Sequence, residues 1–77
     1  MRLKDVPVSP AYLVAHDCFD NGAMEVWPCD SWETARDAAF KRQEHADNMG
    51  EDAVIWRAYI KLPRRKVFKF YPDAKVL

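Results

Sequence analysis

Seventy-seven residues with 49% hydrophobic and 31% charged side chains make one small domain, too short for a second core and too apolar for global disorder. Twelve Lys and Arg balance twelve Asp and Glu, which argues against the basic footprint of a dedicated nucleic-acid binder, and no apolar run approaches the roughly 20 residues that span a bilayer. The balance is segregated: residues 1–53 carry eleven acids against five bases, and residues 54–77 carry seven bases against one acid, Asp73.

Residues 1–10 set Pro7 and Pro10 around Val8 and Ser9, which predicts an extended N-terminal arm. The arm lacks the apolar stretch of a secretory signal. A cytoplasmic protein is therefore expected, with Cys18 and Cys29 as free thiols. A hairpin is predicted over residues 11–28. Tyr12, Val14 and His16 alternate with Leu13 and Ala15, Asp20-Asn21-Gly22 supplies a hairpin-turn signal, and the strand from Ala23 to Trp27 ends at Pro28.

A helix is predicted over residues 31–49. Asp30 is the expected N-cap, Glu33 completes a capping box, and Gly50 is a natural left-handed stop. Trp32, Ala35, Ala39, Ala46 and Met49 fall on one stripe with Ala38 at its edge. The small residues there would let the helix sit close to a sheet. Glu33, Asp37, Glu44 and Asp47 populate the outer side, and Phe40 stands among charges as a candidate interface anchor.

After Gly50 the period changes to two, and a second hairpin is predicted over residues 53–72. Val54, Trp56, Ala58, Ile60 and Leu62 alternate with Ile55, Arg57, Tyr59 and Lys61. Pro63-Arg64-Arg65 reads as the turn and Lys66–Tyr71 as the last strand. The order β-β-α-β-β predicts a two-layer α+β domain, an antiparallel sheet with one helix packed across one face. The last hairpin would present Arg57, Tyr59, Lys61, Arg64, Arg65, Lys66, Lys69 and Tyr71 as one basic, aromatic ribbon. Helix and ribbon on opposite layers would make the molecule electrically two-faced.

His16, Cys18, Cys29 and His45 have zinc-ligand chemistry but not the paired spacing of a knuckle, so no metal or cofactor is expected. His16 and Cys18 share a strand face, as a nucleophile and base would. No orienting third group, oxyanion loop or phosphate-cradling motif accompanies them, so no enzyme is expected.

The stretch Ala11–Phe40, AYLVAHDCFDNGAMEVWPCDSWETARDAAF, resembles small phage-encoded accessory proteins, including anti-CRISPR-type inhibitors, in its strand pair leading into a capped D-S-x-E-type helix. The resemblance implies a role, occupying a functional surface of a host complex, and transfers no catalytic or binding residue. The leading expectation is thus a non-enzymatic inhibitor or adaptor in the host cytoplasm, docking on a host protein complex or nucleoprotein by charge-guided steric occlusion. A second reading is a single-stranded nucleic-acid binder that uses the basic ribbon, since Lys and Arg neutralise phosphates while Tyr stacks on bases. A third is a virion component or homodimer that pairs through an open strand edge.

Overall fold

The computed structural model describes residues 5–19, 22–64 and 68–72. Strand β1 (Ala11–Asp17) pairs antiparallel with β2 (Met24–Cys29), from Ala11 opposite Cys29 to His16 opposite Met24. The first predicted hairpin therefore forms. Asp20 and Asn21 of its turn lie outside the described residues, and Gly22 has the positive φ of 73° that a tight turn asks of a glycine.

Helix α1 (Trp32–Met49) follows, one residue shorter at its start than predicted. Its N-cap is Ser31, not Asp30: the Ser31 hydroxyl accepts the Thr34 N–H at 3.1 Å and bonds the Thr34 hydroxyl at 2.9 Å. Ser31 sits where the chain is still extended (φ −153°, ψ 159°), so its oxygen reaches the third residue on, and a cap of this kind contributes about 1 kcal/mol. Gly50, at φ 72°, ends the helix as expected. The Gly50 N–H bonds Asp47 and the Glu51 N–H bonds Ala46, the bond pair of a Schellman motif.

Strand β3 (Val54–Tyr59) pairs antiparallel with β1, and β4 (Phe68–Phe70) pairs parallel with β2, giving a four-stranded mixed sheet in the order β3-β1-β2-β4. The two-layer α+β architecture is as predicted. Two of its details are not: the sheet is not wholly antiparallel, and residues 53–72 do not form a hairpin. Since β3 runs parallel to β2, and so does β4, the last two strands point the same way from opposite edges. The chain leaving β3 has to cross the sheet to begin β4.

The reason lies in β1, which is buried on both faces. On the near face, beneath α1, Ala11, Leu13 and Cys29 pack against Ala35, Ala38 and Ala39, with Trp27, Trp56 and Ala58 alongside. On the far face, Tyr12, Val14, Met24, Val26 and Phe68 form a second cluster, with Tyr59, Leu62 and Phe70 against it. That second apolar surface needs a cover. Leu62 of the crossing connection supplies part of it, and Val6 of the N-terminal arm, only 7% exposed, supplies more. The arm is therefore docked rather than free. The Tyr12 hydroxyl pins it, accepting the Ser9 N–H at 2.9 Å and donating to the Pro7 carbonyl at 3.2 Å.

Candidate functional site

The topology dismantles the expected basic ribbon. Arg57 and Tyr59 belong to one sheet edge, Lys69 and Tyr71 to the other, and the two pairs face opposite ways. Tyr59 packs on the far-face cluster, and its hydroxyl lies 2.8 Å from His16 Nε2, the two rings meeting edge to face at 5.6 Å. It is a structural aromatic and not a free stacking platform. Arg57, Lys61 and Arg64 are exposed on or just after β3. Arg65 and Lys66 lie outside the described residues. Lys69 sits between Phe68 and Phe70, which both turn to the far-face cluster, so alternation sends Lys69 to the near face. Among the described residues the basic charge of this segment is consequently divided between the two sheet edges and does not form one ribbon.

Tyr71 instead joins an aromatic stack that sequence reading missed. The Trp56 and Trp27 rings stack at 5.5 Å, and Trp27 stacks in turn on Tyr71 at 5.0 Å with only 13° between planes. The Arg42 guanidinium lies 4.9 Å from the Trp56 ring centre. The row crosses the near face from β3 over β1 to Tyr71, just after β4; in the strand register Trp56 stands opposite Ala15 and Trp27 opposite Leu13. Helix α1 packs mainly on β3 and β1, and the stack covers the part of the near face beyond it. Pairs of this kind contribute about 0.5–1.5 kcal/mol each beyond their buried area. Beside the stack is a cleft of about 230 Å³ whose lining includes Trp56, Asp17, Glu25 and Lys69.

The acidic helix residues Glu33, Asp37, Glu44 and Asp47 are all exposed, and Phe40 is 71% exposed among them. Phe40 forms a ridge. On one side lies a depression bordered by Glu44 and Asp47. On the other lies a groove of about 470 Å³ between α1 and the outer edge of β3. Helix residues Trp32, Arg36, Ala39, Phe40 and Gln43 line it opposite β3 residues 56–59. Trp32 and Ile60, the residue after β3, are 37% and 64% exposed. Sequence reading assigned Trp32 and Ile60 to the inward-facing sets. They sit where the helix start and strand end overhang the core, an effect of element length that periodicity does not carry.

Along this edge Gln43 makes the defining contact. Its Oε1 accepts the Trp56 backbone N–H at 2.8 Å, and its Nε2 donates to Asp47 Oδ1 at 3.0 Å. In an antiparallel ladder alternate residues turn both backbone groups the same way. The Trp56 amide faces outward to Gln43, so the polar groups of Val54 and Ala58 face outward as well. Among the described residues no strand pairs with this side of β3.

The Cys29 thiol is not activated. Cys29 is buried and its Sγ lies 3.7 Å from the Trp27 carbonyl; burial pushes its pKa up and the neighbouring Asp30 carboxylate adds to the rise, the opposite of what an activated nucleophile requires. Cys18 is exposed and unbridged. Among the described residues no three His, Cys, Asp or Glu side chains are grouped to hold a metal ion, and no helix is long and apolar enough to cross a membrane. No protein-family model matches the chain, and neither does any curated protein or solved structure.

Proposed function

We propose that this chain is a non-enzymatic binding protein, an inhibitor or adaptor that docks on a partner protein with its α1–β3 side and occludes the surface it covers. The observation that carries the reading is that exposed Trp32 and Phe40 line one groove beside an open strand edge. Apolar side chains gathered on so small a surface, rimmed by charge, are what a protein interface presents before its partner arrives. Such a role is of the kind phage-encoded accessory proteins play on host complexes. The tagged chain should retain a partner from a cell lysate that Phe40→Glu loses at least about tenfold, a loss of about 1.4 kcal/mol, while Tyr71→Ala retains it. Equal retention by wild type and Phe40→Glu would overturn the assignment of the docking side.

A second reading, single-stranded nucleic-acid binding, is favoured by one feature only: Lys69 beside a stack that ends in the partly exposed Tyr71. A low-salt gel shift with random oligonucleotides decides it. Absence of a shift at high micromolar protein removes the reading.

A further inference from the structure

We infer that the groove between α1 and β3 receives an extended, acidic segment of the partner, which adds to β3 as a fifth strand and takes the place of Gln43 on the Trp56 amide. This inference rests on the docking side proposed above and goes further by naming the chemistry of what docks there.

Three observations converge on it. First, the outer side of β3 carries backbone donors and acceptors at Val54, Trp56 and Ala58 that a neighbouring strand would satisfy. Gln43 Oε1, 2.8 Å from the Trp56 nitrogen, already stands where the carbonyl of such a strand would lie. Gln43 thus works as an intramolecular placeholder, keeping one edge amide bonded until a strand arrives. Second, the groove is walled by Trp32, Ala39 and Phe40 on the helix and by Trp56 and Ala58 on the strand. These form an apolar slot for every second side chain of an extended segment, since alternate residues point to the same side. Third, among the described residues the charged side chains lining the groove are Arg36 and Arg57, and no carboxylate lines it. Asp37 lies 3.5 Å from Arg36, but both side chains are more than half exposed, and a solvated pair of this kind holds its members weakly. Lys61 and Arg64 are exposed just after β3 and add to the positive charge at this end of the strand.

The same charges argue against a second copy of the chain as occupant. Two β3 edges paired antiparallel about a two-fold axis would bring Arg57 and Arg36 of each copy toward those of the other. Like charges so placed across strands destabilise the pairing.

The test uses two capped octapeptides, one alternating Val with Glu and one alternating Val with Lys, titrated into the whole chain and followed by backbone amide NMR shifts. The Glu peptide should bind at least about tenfold more tightly than the Lys peptide, with shifts concentrated at residues 54–60 and 32–43. Arg36→Glu combined with Arg57→Glu should reverse that preference. N-methylation of the peptide amides that face β3 should abolish binding, and Gln43→Ala should raise affinity severalfold by removing the internal competitor. Equal binding of both peptides, or shifts confined to other surfaces, would overturn the inference, and so would a light-scattering mass showing that the chain dimerises through this edge. If Phe40→Glu releases the lysate partner while neither peptide binds, the docking side stands and the added strand is lost. Peptide binding without any effect of Phe40→Glu on the partner has the reverse meaning.

Discussion

Beneath the helix the buried residues are mostly small, Ala11, Ala35, Ala38, Ala39 and Cys29 around a single Leu13, whereas across the sheet they are large, Tyr12, Val14, Met24, Val26 and Phe68. The difference follows from what covers each face. A regular helix with alanines turned inward brings its backbone close to the sheet and leaves little space for side chains. The far face is covered by an arm and a crossing connection, which lay down few inward side chains of their own. There the sheet's own residues have to fill the volume. A domain of this size buries only about 60–65% of its unfolded surface, so both solutions are needed at once.

The largest effect should come from emptying the far face. Met24 is fully buried and central to that cluster, and Met24→Ala should cost about 2–5 kcal/mol, measured by urea denaturation. A cost under about 1 kcal/mol would mean that the arm and connection close over the void, and the far side would then be a soft cover and not a second core.

Enlargement should separate the faces in the other direction. Ala35 has no exposed surface between helix and sheet, so Ala35→Leu should overpack the contact and cost about 1–3 kcal/mol. Val6→Leu adds volume on the far side, where an irregular segment can shift to take it, and should cost clearly less. Paired thermal melts decide the matter. Equal losses would show that the arm is held as rigidly as the helix.

How far this arrangement was legible in the sequence depends on the range of each signal. Hairpin, helix and third strand were readable because alternation, an alanine stripe and Gly50 act over a few residues. The cap was misplaced by one position because Asp30 and Ser31 are both good caps, and only the backbone angles at Ser31 decide between them. The last hairpin was misread for a different reason. Pro63-Arg64-Arg65 has turn chemistry, yet the choice of edge for Phe68–Phe70 was made by a distant demand, the apolar far face of β1 and β2. That demand was itself visible. Tyr12 and Val14 bring buriable side chains to one alternation, as Leu13 and Ala15 do to the other, and a strand of this kind asks for cover on both sides. The Trp56–Trp27–Tyr71 stack and the α1–β3 groove depend on strand order, which no local pattern encodes. Trp27, Gln43 and Trp32 therefore carried no signal that could have placed them there.

The smallest effect is also the most specific to the near face. Cys29 is 4% exposed, with its thiol pKa raised by burial and by the Asp30 carboxylate. A group whose pKa is higher folded than unfolded keeps its proton longer in the native state, so its contribution is fully present below the ordinary thiol range of about 8.5 and is lost as pH rises beyond it. Stability should therefore decline on the alkaline side, and Cys29→Ala should flatten that part of the profile while leaving the neutral part little changed. A thiol reagent at neutral pH should modify the exposed Cys18 promptly and reach Cys29 only on unfolding. Prompt modification of both would mean that α1 lifts from the sheet in the native state. The near face would then be the looser of the two despite its closer packing, and the contrast drawn between regular and irregular cover would have to be reversed.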